Sequence, residues 1–486
     1  MRHRTLMLAC ALALATSPAH AQDTAESLRA EIEQLKRSLQ SLETRLQAIE
    51  TPPPSGAQTV GTPITPPPVP PPGPPVPPAA AAPATLTVAS GTQVPGVAQS
   101  VLPSRDSVAD PSAGASRVDN AAPPTDPDLK GFFAIPGTET MVRIGGYAKL
   151  DAIADSRKVG DPDQFITAAI PVSGTPGSDV TNFNLHAKQT RFSFEARRPT
   201  SRGNLRFYLE NDFFGSSDGY EFRLRHAYGQ LGNTYAGYGY SVFMDADALP
   251  DTLDFEGPGS APYLLVAGMH YAFPLGKGNS LTLSVEDPET QVATASDDET
   301  STSRMPDITA AARWERDWGH LQLSGLLRRL SYIKDDSKSH DYAGGMSFTG
   351  STSVGEQDLL LFGANWGEGI ARYIADLGGS GLDAGIDSQG ELQALTSYGG
   401  YFGYTHYWNQ QWRSNLVYGY LRLDDEPFLS AETFRTSQYG ALNLIWSPAP
   451  SWTMGVELLY GQYEQQDGRN GDAMRLQGSL QYNFIK

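Results

Sequence analysis

Beyond residue 137 the chain alternates apolar and polar positions in short segments separated by Gly, Asp, Asn and Ser. In the last segment Leu476, Gly478, Leu480, Tyr482 and Phe484 fall on one face, and Arg475, Gln477, Ser479, Gln481 and Asn483 on the other. Successive side chains of a strand point to opposite faces, so this period of two predicts a sheet with one apolar and one polar face. The first segment repeats the pattern, with Val142, Ile144, Ala148 and Leu150 against Arg143, Tyr147, Lys149 and Asp151. Phe192 and Phe194 likewise oppose Arg191, Ser193, Glu195 and Arg197, while Leu205, Phe207 and Leu209 oppose Arg206, Tyr208 and Glu210. Strand centres fall near residues 147, 192, 208, 226, 242, 268, 283, 312, 325, 346, 361, 400, 417, 442, 458 and 479. That makes sixteen, the even number that antiparallel closure with both ends on one side requires.

A soluble sandwich also alternates, so one strand cannot choose between the two architectures. Three other features do. Aromatic residues sit at strand ends: Trp314 and Trp318, Tyr407 and Trp408, Trp446 and Trp452, Tyr482 and Phe484. Short turns such as 317–320 contrast with long connections such as 159–183. The N-terminus has a secretion signal, with Arg2 and Arg4 ahead of the apolar run Leu6 to Ala15 and a small-x-small site at Ala19-His20-Ala21. Together they predict an all-β fold, a 16-stranded antiparallel transmembrane β-barrel with apolar residues outside and polar residues inside. A barrel of that size leaves an aqueous channel.

The expected domains are a signal peptide over 1–21, a periplasmic coiled coil over 22–50, a Pro-rich linker over 51–130 and the barrel over 131–486. Leu28, Ile32, Leu35, Leu39, Leu42, Leu46 and Ile49 recur at alternating spacings of 4 and 3, the seam of a short coiled-coil helix. A lone amphipathic helix would show a wider apolar stripe. Residues 51–78 hold 14 prolines, which favours an extended polyproline spacer that cannot bury a core.

Composition enters through its distribution. Of 48 aromatic residues, 46 lie beyond residue 137. The single cysteine, Cys10, lies within the signal segment, so neither a disulfide framework nor a cysteine-based metal site is expected, and no cofactor is implied. The net charge of −18 argues against nucleic acid as a partner. The barrel region alone has 27 basic and 43 acidic residues. Its acids fall mainly in loops and turns.

Several local motifs carry a family resemblance: Val142-Arg143-Ile144-Gly145-Gly146-Tyr147, Arg225-His226-Ala227-Tyr228, Thr252-Leu253-Asp254-Phe255-Glu256-Gly257-Pro258, Gly367-Glu368-Gly369-Ile370-Ala371-Arg372-Tyr373 and Asn443-Leu444-Ile445-Trp446-Ser447-Pro448. In this order, behind a signal, a coil and a Pro-rich linker, the chain resembles the DcaP-like trimeric outer-membrane porins. The resemblance implies a homotrimer in the bacterial outer membrane, in contact with lipid and lipopolysaccharide and inserted by the barrel-assembly machinery. It also implies uptake of small organic anions such as dicarboxylates. One departure is the C-terminus, where Ile485 and Lys486 follow the final aromatic residue, Phe484.

A passive pore selects by its width and by the field of its wall. Alternation places a basic strip on the wall: Arg143, Lys149, Arg191, Arg197, Arg206, Arg223, Arg225, Arg313, Arg328 and Arg475. Asp151, Glu195, Glu210 and Asp212 are available as structural partners for it. The segment 245–262 lacks alternation and carries Asp245, Asp247, Asp251, Asp254 and Glu256, stiffened by Pro250, Pro258 and Pro262. Folded inward, it would be a constriction loop whose acids face the basic strip and orient charged solutes. An outer-membrane enzyme is one rival class, but no Gly-x-Ser-x-Gly occurs. A structural anchor tied to the cell wall through the coil is a second rival, and a sugar- or phosphate-selective porin a third.

Overall fold

The computed structural model describes residues 131–484, apart from 217–218, 293–298 and 335–336. The expected signal peptide, coiled-coil seam and linker, and the terminal Ile485 and Lys486, lie outside the described residues. Sixteen strands form the barrel wall: β1 (Met141–Asp155), β2 (Asn182–His186, continued by Arg191–Thr200), β3 (Gly203–Asp212), β4 (Arg223–Leu231), β5 (Thr234–Tyr240), β6 (Leu265–Gly276), β7 (Asn279–Glu286) and β8 (Asp307–Arg316). They continue as β9 (Gly319–Lys334), β10 (Ser337–Val354), β11 (Asp358–Glu368), β12 (Thr396–Tyr407), β13 (Trp412–Leu423), β14 (Phe434–Ala449), β15 (Trp452–Gln465) and β16 (Asn470–Asn483). Each pairs antiparallel with the next, and β16 returns to β1 in a register running from Tyr147↔Asn483 to Asp155↔Arg475. The closed barrel leaves no exposed sheet edge.

The period of two is realised as a wall with two faces. On β16 Leu476 is 56% exposed and Tyr482 42%, whereas Gln477 and Gln481 between them are buried. Trp314, Trp318, Trp408, Trp452 and Tyr482 all point outward at the end of the barrel with the short turns. Trp412 and Trp446 stack there, with ring centroids 5.4 Å apart. Amphipathic rings at that level suit a membrane interface.

The fifth strand differs from its expected position. Alternation centres it near 242, but it spans Thr234–Tyr240 and stops before Ser241. The carboxylate of Glu286 accepts from the Ser241 hydroxyl at 2.8 Å and from the Val242 N–H at 2.9 Å. These bonds replace the ladder and turn the chain inward.

Three long connections fold into the lumen: L1 (156–181), L2 (241–264) and L3 (369–395). They and the inner wall share one apolar core. Phe165 and Ile170 of L1, Phe243 and Leu264 of L2, and Ile370, Ile374 and Leu377 of L3 pack with Leu421, Tyr439 and Leu459 on β13, β14 and β15. This corrects the inside-polar expectation for these strands. Burying each such aliphatic side chain contributes about 1.5–3 kcal/mol, so the inward loops are part of the folded core.

L2 lies on this wall because glycine makes room for it. A Cβ on Gly403 of β12 would fall 2.7 Å from Cβ of Pro250, and one on Gly419 of β13 would fall 3.0 Å from both Cβ of Pro258 and Oγ of Ser260. Gly403→Val is therefore expected to push L2 off β12 at a cost of about 1–3 kcal/mol, as overpacking does. It should lower the heat-unfolding midpoint on a gel that separates folded from unfolded barrel. An unchanged midpoint would show that L2 does not rest on this wall.

Candidate functional site

The inner wall of β1 to β4 carries a column of charge. Nearest the short turns, Glu195 of β2 accepts from three guanidinia at 2.7 Å each: Arg143, Arg197 and Arg206. Above it Glu210 of β3 lies 3.0 Å from Arg225 and 3.6 Å from Arg191. Above that Asp212 lies 2.6 Å from Arg223 and 3.3 Å from Arg225. The arrangement follows from cross-strand register, which sets Arg197 opposite Arg206, Glu210 opposite His226 and Asp212 opposite Arg223. Arg225 also donates to the hydroxyls of Tyr240 at 3.0 Å and Tyr263 at 3.3 Å.

The remaining predicted basic residues stand apart from that column. Lys149 donates to Gln189 and to the Leu253 carbonyl of L2 at 2.7 Å, with Asp151 3.2 Å away. Arg313 of β8 holds Asp245 at 3.0 Å and Asp247 at 2.5 Å, with Glu315 at 3.1 Å. Arg328 of β9 holds Asp307 at 2.9 Å and Asp383 at 3.0 Å. Arg475 of β16 pairs with Asp155 at 2.7 Å, with Asp254 3.8 Å away.

Asp245, Asp247 and Asp251 of L2 are thus seated on wall residues outside the β1 to β4 column. Asp245 accepts from Arg313, from Thr349 at 2.7 Å, and bonds His320 at 2.8 Å. Asp251 takes Arg413 at 2.7 Å. Asp254 accepts the Phe165 N–H of L1 at 3.0 Å and caps its own turn through the N–H groups of Glu256 and Gly257. Glu256 is buried. Two aromatic residues of L2 reach the arginine column: Tyr263, whose hydroxyl accepts from Arg225, and Phe255, whose ring lies 5.1 Å from the Arg223 guanidinium, 5.7 Å from Arg225 and 6.0 Å from Arg191. A quadrupolar ring face attracts such cations without neutralising them.

Burial of these loop acids competes with their partners. Burial would raise the Asp245 carboxyl, yet its bonds to His320 and Arg313 hold it down at about 2. At Asp251 and Asp254 burial prevails and pushes both carboxyls up against the pull of Arg413 and Arg475. Asp376 of L3 is also raised by burial, against hydrogen bonds from Thr167 of L1 and Ser437 of β14.

Sequence reasoning did not single out Arg372 and Arg413, nor Asp307 and Asp383, the acids that Arg328 and Arg372 share. Arg372 lies on L3, where no alternation marks a wall position, and its backbone N–H donates to Asp383 at 2.9 Å. Arg413 does alternate with outward Trp412, a signal that could have found it. A second feature also emerges only from pairing across strands. Tyr208 of β3, Tyr228 of β4, Tyr235 of β5 and His270 of β6 form a row with successive ring centroids 5.5, 4.6 and 4.3 Å apart.

A family model described as "Porin subfamily" matches residues 129–472. No curated protein matches the chain by sequence. Among solved structures, the outer membrane channel DcaP of Acinetobacter baumannii is similar, with TM-score 0.64 and 21% identity over 72% of this chain and 99% of that one. The anion-selective porin from Comamonas acidovorans aligns with TM-score 0.48 and 11% identity over 71% of this chain and 100% of that one. Outer-membrane expressed OmpT of Vibrio cholerae aligns with TM-score 0.47 and 10% identity over 73% of this chain and 100% of that one.

Proposed function

The chain belongs to the porin subfamily and has the fold of an outer-membrane channel, and on that premise we propose that it is a trimeric diffusion pore preferring small organic anions such as dicarboxylates. The observation that carries this reading is the imbalance on the β1 to β4 wall. Among the described residues, six guanidinia (Arg143, Arg191, Arg197, Arg206, Arg223 and Arg225) share three carboxylates (Glu195, Glu210 and Asp212). Surplus positive charge in a low-dielectric wall attracts anions whatever the net charge of the chain. Arginine adds a planar fork suited to carboxylates.

The test is conductance of the full-length protein in a planar bilayer under a KCl gradient. A reversal potential displaced toward chloride selectivity is expected, and a homotrimer would close in three equal steps. Cation preference would sink the anion assignment. No conductance at all would favour the structural-anchor reading. A second substrate reading, uptake of neutral sugars, draws on the row of Tyr208, Tyr228, Tyr235 and His270. That row would bind a maltooligosaccharide strongly enough to block chloride current, whereas the anion reading expects no such block.

A further inference from the structure

Two concavities outside the lumen share a wall at the end of the barrel with the short turns. The first is a groove of about 700 Å³ on the outward face of β13 to β16, lined by Trp408, Trp412, Leu442, Val456, Leu458 and Leu476. Leu442, Val456 and Leu476 are each more than half exposed. The groove exists because Ser414, between outward Trp412 and Leu416 on β13, is a small side chain in a row of large ones. The second is a cleft of about 450 Å³ between the turn after β10 and the turn after β12, lined by Glu356, Gln357, Asp358, Tyr407, Asn409 and Gln410. Trp408 and Asn409 border both. Each volume falls in the range of about 300–1,000 Å³ found for small-molecule sites.

Both are held in shape by hydrogen bonds. The Asp358 carboxylate ties the two hairpins together, accepting from the Tyr404 hydroxyl at 2.6 Å and the Tyr407 N–H at 3.0 Å and bonding Nδ1 of His406 at 2.8 Å. The Trp408 ring stands perpendicular to His406, centroids 4.4 Å apart, and its Nε1 donates to Ser414 Oγ at 2.9 Å. Their chemistry differs. The groove is apolar and faces the hydrocarbon around a transmembrane barrel. The cleft carries two carboxylates and three side-chain amides, and among the described residues no lysine or arginine lines it. Such a rim repels an anionic headgroup and attracts an ammonium, while amide N–H groups can donate to phosphate oxygens.

We propose that groove and cleft together hold one phospholipid with a primary-ammonium headgroup, phosphatidylethanolamine, its acyl chain in the groove and its ammonium beside Glu356 and Asp358. Barrels of this class turn their short hairpins to the periplasm, so the lipid belongs to the inner leaflet. The site is independent of what the pore carries.

Native mass spectrometry of the full-length protein in detergent tests it, with phosphatidylethanolamine or phosphatidylglycerol added at equal concentration. The wild type should retain phosphatidylethanolamine roughly fivefold over phosphatidylglycerol, the scale of one exposed ion pair. Glu356→Gln should abolish that preference. Ser414→Phe, which fills the groove from its floor, should lower retention roughly tenfold. Ala310→Phe adds bulk to the outward face of β8, away from the groove, and should bind lipid as wild type does. Heat-modifiable gel mobility reports that each variant is folded. Equal retention of the two lipids by the wild type, or undiminished retention by folded Ser414→Phe, overturns the site. A smaller oligomer of Ser414→Phe on a native gel would make the groove a contact between copies of this chain, and overturns the lipid site as well.

Discussion

Asp245→Asn is expected to loosen the root of L2 from the wall, at a cost of about 1–3 kcal/mol, and to raise the single-channel conductance. The magnitude is that of leaving buried donors without their charged acceptor. Here those donors are Arg313 and His320, held by the Asp245 carboxylate at 3.0 and 2.8 Å, while Arg313 keeps Asp247 and Glu315. Asn keeps the volume and the Thr349 contact, so the loss isolates the charge. The sign with pH follows from the lowered folded pKa. The contribution of Asp245 is complete above its unfolded value of about 4 and is lost as pH falls through about 2. Asp251 and Asp254, raised by burial, act in the opposite sense: their contribution declines as pH rises through their folded values. The check is single-channel conductance and unfolding midpoint for the variant at neutral pH. If both equal those of the wild type, Asp245 does not anchor L2.

Arg475→Met should have the other large effect, about 3–5 kcal/mol, because it breaks the seam where the barrel closes. Arg475 and Asp155 are register partners between β16 and β1, both buried, with Nε 2.7 Å and Nη2 3.1 Å from the carboxylate. The same guanidinium donates to the carbonyls of Asp161 and Pro162 at 3.3 Å, so it also holds L1. Met fills the space but leaves Asp155 charged and unpaired. Adding Asp155→Leu should restore most of the loss, since a buried pair replaced by apolar residues of similar volume is often neutral or better. Urea unfolding followed by gel mobility measures both. A single variant as stable as the wild type, or a double variant no better than the single, would remove the pair from the closure of the barrel.

The two variants probe features of different legibility. That Arg475 faces inward was readable from its alternation with Leu476 and Leu480. That its partner is Asp155, 320 residues earlier, was not, because alternation assigns a face and says nothing about neighbours on other strands. The same holds for the column built on Glu195, Glu210 and Asp212. Each residue was identifiable as wall-facing, but the sharing of three acids among six arginines depends on register. L2 was recognisable by its broken alternation and its prolines. Its destination was not, since Asp245, Asp251 and Asp254 lie against Arg313, Arg413 and Arg475, and it is the aromatic residues Phe255 and Tyr263 that reach the column. The start of L2 was misplaced for a similar reason. Ser241 and Val242 read as a continuing strand, but the Glu286 carboxylate accepts from the Ser241 hydroxyl and the Val242 N–H and ends it at Tyr240.

By itself the sequence determined the architecture: sixteen strands, an apolar outside, an aromatic belt at the short turns and a wall rich in arginine. These are periodic properties, and a strand's period of two is local, written in each side chain and its neighbours. Only the tertiary structure decided which arginines are neutralised, where L1, L2 and L3 lie, and why Leu421 and Leu459 face inward. Those outcomes depend on barrel closure, which brings residues hundreds of positions apart within hydrogen-bond distance. There the cost of burying a charge selects the pairings, and the apolar loops settle on the stretch of inner wall that is apolar enough to receive them.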